Sequence, residues 1–597
     1  MNLEKHQEND KSFLPLFLLV YPFHWGVFSR QPQDIDGHEE ELHDQFPRLK
    51  SALRLAALAF FCVLTFVARS HNLRDVFIEG RLYFLDADCY SRMTRAQMVA
   101  EHPGMIIRHH DFENFPQGVK THTTAPLDYL IVLLKSGVAI ALRFFDPQKT
   151  TSLHAQALDI AGALIGPLLG TLSTVFLAFW AWSLRFRFWG IPLLLYATSP
   201  ILVHGTVFGR PDHQALLILL LTVALGAEIA LVRPTLDLEA NSATHQRFWS
   251  VVSGLFWALS LWVSLYEPLV LLATVVVIGL ALDRRSMFSQ ERRRGWVVFL
   301  ISLALVTMVE GWHMDAPDAA LRANFIRWQA TIGELAHLNL LSPQLSSWLG
   351  WLALLTPLGL FFSRKTDRRS LPLLLLLIVL LSLTVWQIRW GYFLAVGVVL
   401  SLPIFLPVLV KPWIIWTAFF CGLWPLAADW EARLFPDSSA TRRLEMKRAE
   451  SVALREIVAT KVGTNGGPFL APWWLSPAIA YWTGQPGLGG SSHESLPGIV
   501  DGAKIYLAPD AATALPILRS HRIAWILADV PERVISTSAT LLGVDRPSQS
   551  MAEQWARPIR DEPRDSAIIP DPSIPLHQGE IFYQIWIVQP VSDLLPN

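Results

Sequence analysis

The chain has 597 residues, 52% of them hydrophobic and 17% charged, with a net charge of −1 and a mean hydropathy of +0.35. Soluble proteins carry about 25% charged residues, so the deficit points to long apolar segments, and the near-neutral balance lacks the basic footprint of a nucleic-acid binder. Cys62, Cys89 and Cys421 are too scattered for a disulfide framework or a zinc motif, and Cys89 reads as a small buried filler.

In chain order, the first apolar stretch is 13–28. Pro15, Pro22 and His24 interrupt it and no small-residue cleavage site follows, so it is expected to be interfacial rather than a cleaved signal or an extra span. Eleven spans are then proposed, at 52–69, 157–182, 188–207, 214–232, 249–265, 267–282, 296–312, 347–363, 371–388, 391–409 and 412–428. With the N-terminus in the cytoplasm, the even loops collect the basic residues, including Arg185 and Arg187, Arg284 to Arg294, and Arg364 to Arg369, as the positive-inside rule requires. Segment 126–145 is apolar enough to span, but inserting it would put the Arg284 to Arg294 cluster outside. It is therefore assigned to the outer face. The tail is long enough for one soluble domain. It alternates a charged helix (440–460), a short strand entering a turn (468–474), a helix (511–520), a strand (523–527), a loop (557–575) and a last strand (581–588).

The expected fold class is a polytopic α-helical membrane protein of about 11–13 spans with a C-terminal α/β soluble domain. The expected divisions are an N-terminal cytoplasmic or interfacial segment (1–50), a transmembrane catalytic domain with outer loop 70–156 (51–429), and an extracytoplasmic soluble domain (430–597).

The scarce polar chemistry falls on the outer side of this topology. Asp86 and Asp88 are two residues apart and can converge in a turn as hard oxygen ligands for Mg²⁺ or Mn²⁺, although a lone acidic pair is also an ordinary polar loop. Asp212 sits where one span ends and the next begins, so it can cap the following helix, bind a metal, or do both. His213 is a further metal candidate, and Gln214 offers a weaker neutral oxygen. Glu334 is a candidate in Thr331-Ile332-Gly333-Glu334, with a solvated loop carboxylate as its alternative. Arg389 is the only charge between Arg369 and Lys411. It suits phosphate oxygens if it does not snorkel to the interface. Trp473-Trp474 either belongs to a core or walls a groove for a peptide or sugar. The Gly-rich stretch 484–492 lacks the strand–helix context of a nucleotide loop and receives little weight.

These motifs, in this order, resemble the catalytic subunit of oligosaccharyltransferases, membrane glycosyltransferases of the GT-C class. The resemblance runs from about residue 50 to about residue 530. It rests on Asp86-Ala87-Asp88-Cys89-Tyr90 with the following Asn114-Phe115-Pro116-Gln117-Gly118, on Gly209–Gln214 as a second acidic motif close to the archaeal form, on Thr331–Glu334, on Arg389, and on Trp473-Trp474 as the start of a Trp-Trp-Asp motif. Two positions depart from the family pattern. Leu475 replaces the Asp that reads the acceptor sequon, and Gln214 replaces a metal-holding carboxylate or His.

The resemblance implies glycan transfer from a polyprenyl-linked phosphate or pyrophosphate to a protein side chain or a glycolipid. It implies catalysis by Asp88, Asp212 and Glu334, a divalent Mg²⁺ or Mn²⁺ on Asp88 and Asp212 with Gln214, His213 and Asp86 as further candidates, and Arg389 on the donor phosphate. Glu334, Trp473 and Trp474 would contact the acceptor. The site would face the outside, in a bacterial inner membrane, with membrane lipids as partners and no nucleic acid. Three alternatives stand beside this expectation: a GT-C enzyme using a polyprenyl-phosphate monosaccharide, a binder of lipid-linked glycans that transfers nothing, and a transporter. The transporter would place its ionisable groups near the bilayer midplane on repeated halves.

Overall fold

The computed structural model describes residues 47–145, 150–232, 243–311, 319–340, 342–408, 412–462, 466–556, 567–570 and 583–589. The expected interfacial segment 13–28, Lys411 and most of the loop 557–575 lie outside the described residues. By internal contacts the chain divides into two units, Met1–Phe60 and Phe61–Asn597, and everything below concerns the second. The expected boundaries at 50/51 and 429/430 remain proposals.

Long apolar helices dominate. Ser51–Val76, Gln156–Ser183, His213–Leu231, Tyr266–Met287 and Ile388–Phe405 are long and apolar enough to cross a membrane, and a bent pair, Pro343–Leu349 with Leu352–Ser363, makes a sixth. Val63 (62% exposed), Val277 (64%) and Met308 (80%) present apolar side chains outward. Water does not tolerate such surface over whole helices, so these faces belong in lipid and the protein is an integral membrane protein. The other expected spans are helical as well, among them Ala243–Val263, Gln290–Glu310, Ser370–Trp386 and Pro412–Leu434, but they fall short in length or in a sustained apolar run. Pro126–Phe145, assigned to the outer face, is a 20-residue helix carrying Asp128, Lys135 and Arg143, and it is not among the helices apolar enough to span.

Two expected spans are not single helices. Segment 188–207 breaks into Gly190–Thr198 and Pro200–Gly205, because Pro200 has no N–H to continue the ladder and restarts the helix at its first turn. Segment 347–363 bends by 69° at Gly350. Gly350 has φ +61°, and a Cβ there would lie 1.9 Å from the Gly422 carbonyl oxygen, so only glycine fits this crossing.

The C-terminal part is a small α/β assembly, as expected. The outer loop holds a two-residue hairpin of β1 (Phe77–Ile78) and β2 (Arg81–Leu82). The tail contributes β3 (Phe469–Leu470), β4 (Trp525–Ala528), β5 (Ile568–Pro570) and β6 (Gln584–Val588), in the order β3-β4-β6-β5. The β3–β4 pair is parallel, and both pairs of β6 are antiparallel. Trp525, Phe469 and Ile585 are buried on one face of this sheet with Leu454 and Val458 of the preceding helical segment.

Docking of this part onto the outer loop places the site. The Gly487 N–H donates to the Phe112 carbonyl (3.0 Å), and the Phe115 N–H donates to the Gly487 carbonyl (3.2 Å). Tyr481 donates to Asp159, and Arg455 donates to the Leu82 carbonyl while lying over the rings of Tyr83 and Trp482.

Candidate active site

Of the candidate spans, His213–Leu231 and Ile388–Phe405 are the most deeply buried within the protein, at 94% and 89% of their apolar windows. Their N-terminal ends carry Asp212 and Arg389. The other acidic groups also sit at helix starts. Asp88 is in the first turn of Ala87–Glu101, and Glu267 is in the first turn of Tyr266–Met287. A helix N-terminus carries partial positive charge and favours a carboxylate there.

Backbone hydrogen bonds bring these ends together. The Leu85 N–H donates to the Gly209 carbonyl (3.2 Å), and the Gly209 N–H donates to the Ala163 carbonyl (3.0 Å). Gly209 has φ +79° with Val76 pressed against it, leaving no room for a side chain. The Ile388 N–H donates to the Ala336 carbonyl (3.0 Å), which fixes the Glu334 turn beside Arg389.

Arg210 is the hub. Its Nη2 donates to Glu334 Oε1 at 2.5 Å and lies 3.6 Å from Asp212 Oδ2, and its Nε is 3.7 Å from Asp86. Nη1 is 2.9 Å from the imidazole of His204, whose Nδ1 is 2.9 Å from the Tyr392 hydroxyl. A guanidinium offers five donors in a rigid fork, which lets one side chain span three carboxylates. Arg389 is paired with Glu267, a fully buried carboxylate, and both Glu334 and Asp212 lie within its electrostatic reach. Sequence reasoning quoted Arg210 without giving it a role, and it missed Glu267 and His204. A lone Glu at the start of an apolar span was the available signal for Glu267.

Asp212 occupies the N-cap position but makes no capping hydrogen bond. Its Oδ1 meets His213 Nδ1 at 2.6 Å instead. Burial alone would raise its pKa, but the charge and hydrogen bond of His213, helped by Arg210 and Arg92, hold it well below the usual carboxylate range. Asp86 is the residue that caps, accepting the Cys89 N–H at 2.9 Å. Cys89 is fully buried, as expected of a filler.

Asp88 is surface-accessible yet ringed by protein, as on the wall of an open cleft. The loss of surrounding water, then Asp86, Asp212 and Glu334, push its pKa up to about 7, against a hydrogen bond from Ser491. Ser491 belongs to the Gly-rich stretch that received little weight from the sequence. That stretch is folded against the cleft. A Cβ on Gly490 would lie 2.2 Å from Glu113, and Ser492 and Ser91 donate to the Glu113 carboxyl at 3.3 Å and 2.9 Å. Burial pushes the Glu113 pKa up to about 7 despite these donors.

Trp473 stands next to this stretch, its Cα 3.4 Å from where a Gly489 Cβ would be, with its ring 5.9 Å from Trp328. Trp473 and Trp474 line a small apolar pocket with Gly498, Gly502 and Val534, and Arg533 lies 4.4 Å over Trp474. Leu475 holds the N-cap position of Ser476–Thr483 and packs in the sheet-facing cluster.

The donor set fits a hard divalent cation. Asp88 presents a reachable carboxylate in an acid-rich cleft, and the Gln214 Oε1 is buried with no hydrogen-bond partner. Asp86 is engaged by the cap, and His213 has one nitrogen on Asp212. Among the described residues, three His, Cys, Asp or Glu ligand atoms converge only elsewhere, at His122, His493 and Glu494.

The architecture matches solved structures of the oligosaccharyltransferase of the archaeon Archaeoglobus fulgidus. The structure with zinc and sulfate aligns at a TM-score of 0.57 and 15% identity, covering 84% of this chain and 71% of that one. The AglB structure with an inhibitory peptide and a dolichol-phosphate aligns at 0.56 and 15%, covering 85% and 73%. The structure tethered to an acceptor peptide with an NVT sequon aligns at 0.55 and 15%, covering 82% and 71%. No family model and no curated protein matches the sequence. The likeness establishes the fold: a GT-C-type polytopic membrane protein with a C-terminal soluble domain, divergent from the archaeal enzyme.

Proposed function

We propose that this protein is a glycosyltransferase of the oligosaccharyltransferase kind, moving a glycan from a polyprenyl-(pyro)phosphate donor to a protein side chain at the extracytoplasmic face of a bacterial inner membrane. The observation that carries this reading is the meeting of Asp88, Asp212, Glu334 and Arg389 around Arg210 at the ends of buried spans. It is supported by a fold shared with a protein whose structures hold a dolichol-phosphate and an acceptor peptide. Repeated halves with midplane charges, the mark of a transporter, are not the pattern here.

In this reading Arg389, held by Glu267, presents a fixed positive charge to the donor phosphate in a site poor in water, where such a charge is most effective. Arg210 sets the spacing of Glu334, Asp212 and Asp86 and keeps their mutual repulsion from opening the cleft. Asp88 and Glu334 flank the acceptor nucleophile. With its proton affinity raised towards neutrality, Asp88 is suited to take the nucleophile's proton. Asp88, Asp212 and Gln214 would hold a divalent cation of the Mg²⁺ or Mn²⁺ type, with His213 and Asp86 as outer support. When bound, that ion supplies charge neutralisation for the leaving phosphate. Trp473 and Trp474 wall the acceptor side. Leu475 offers no carboxylate to an acceptor hydroxyl, so a Ser or Thr in the acceptor is not expected to be read at that position.

The test is reconstitution of the purified protein with candidate donors and peptides, followed by mass spectrometry. Consumption of a polyprenyl-pyrophosphate glycan with mass added to the peptide is the expected result. Consumption of only a polyprenyl-phosphate monosaccharide would move the protein to the other GT-C donor class. Equal transfer by wild type, Asp88→Ala and Asp212→Ala would dismiss this site.

A further inference from the structure

A second constellation lies away from the carboxylate cleft. His122 closes the outer loop, and His493-Glu494 begins the short turn that runs into the helix Leu496–Leu507. The Nδ1 of His122 is 2.5 Å from Glu494 Oε1, and the Nδ1 of His493 is 3.5 Å from Glu494 Oε2. The two imidazoles stand 4.7 Å apart, and the three ligand atoms lie within 4.8 Å of one another. The Glu494 side chain is only 6% exposed, and its Oε2 is buried without a hydrogen-bond donor. A buried carboxylate oxygen left in that state is costly unless a positive charge meets it.

We propose that His122, His493 and Glu494 form a zinc-class divalent cation site that fastens the outer loop to the C-terminal domain. Two imidazole nitrogens and one carboxylate oxygen suit Zn²⁺ and its borderline neighbours, whereas Mg²⁺ and Ca²⁺ select all-oxygen sets. His122 is 46% exposed, so a fourth position can be filled by water. A plain hydrogen-bonded His–Glu pair accounts for His122 and for one oxygen of Glu494, but it leaves Oε2 with no donor while His493 stands beside it.

The location gives the ion work to do. His493 lies 6.1 Å from the ring of Phe325, and the helix it introduces packs on Trp328 through Leu496, Ile499 and Val500. Phe325 and Trp328 belong to the segment that leads to Glu334. One cation would therefore hold the outer loop, the Glu334 segment and the C-terminal domain in register. It would be a positioning site and not a catalytic one, and it stands whether or not the proposed reaction is correct.

The test uses the full chain in detergent, stripped with a chelator and titrated with Zn²⁺ against a fluorescent competitor, with melting followed in parallel. Wild type and Asp88→Ala should each bind a Zn²⁺ ion that raises the melting temperature. His122→Ala and Glu494→Gln should lose that ion and that rise while keeping the helical circular dichroism of the wild type. His122 is largely exposed, so its removal is not expected to unfold the chain. Zn²⁺ binding and stabilisation unchanged in both variants, or absent from the wild type, would overturn the proposal. Loss of the ion in Asp88→Ala alone would assign it to the carboxylate cleft and overturn the proposal too.

Discussion

Two regions of this protein bury the same residue types to opposite ends. Between the helices Ala87–Glu101 and Pro126–Phe145, Asp128 accepts from Arg92 at 2.7 Å and from Arg95 at 2.8 Å, and all three side chains are nearly inaccessible. In the cleft, Asp86, Asp88, Asp212 and Glu334 share Arg210 and Arg389, one of which is already engaged by Glu267. The first cluster is closed upon itself and leaves nothing for a ligand. The second keeps Asp88 reachable and over-supplied with negative charge. Buried charge therefore marks a site only where pairing is incomplete and the group can still be reached.

The largest effect expected from this contrast is on the closed cluster. Asp128→Asn strands two buried guanidinium groups and should cost roughly 3–5 kcal/mol of stability, seen as a large fall in melting temperature. An unaltered melt would mean that the two clusters do not differ as argued. In the open cleft the signature should invert. Asp88→Asn should reduce glycan transfer by about 10²–10³-fold with melting preserved, in the range that follows loss of one preorganised charge-stabilising group.

Glu113 lies between the two cases, buried and hydrogen-bonded but pushed up to about 7. Its folded pKa exceeds the ordinary carboxylate value, so its contribution is complete below about pH 4.5 and is lost as pH rises through about 7. At still higher pH the ionised group should weaken docking of the outer loop by about 3 kcal/mol, and Glu113→Gln should remove that dependence. Hydrogen exchange across 111–122 at several pH values measures it, and a flat wild-type profile would refute the assignment. The smallest effect belongs to Ser491→Ala. Losing one hydrogen bond to Asp88 should cost about 1 kcal/mol, or roughly fivefold in transfer rate, without abolishing it.

Much of the site was legible before any coordinates. Asp88, Asp212, Glu334 and Arg389 stood out because ionisable residues beside apolar runs are rare, and each does come to the cleft. The helix-cap alternative for Asp212 failed because His213 and Arg210 compete successfully for its oxygens. Arg210 was hidden by its own motif: next to Pro211 and Asp212 it looked like turn chemistry. Glu267 and Ser491 were hidden by distance along the chain, since nothing local tells a Glu that its partner is Arg389 or tells a Gly-rich stretch that it will cover Asp88.

The sequence by itself determined that helices of this length and apolarity form and require lipid, that the tail alternates helix and strand, and which scarce polar residues sit at helix ends. Those follow from local rules, hydropathy and periodicity, that act within a single segment. Only the tertiary structure decided that span 188–207 breaks and span 347–363 bends, that one arginine joins three carboxylates, and that His122 meets His493 and Glu494 across some 370 residues. Those facts depend on packing between distant segments, where a hydrogen bond or ion pair is set by the space left between helices and not by neighbours in the chain.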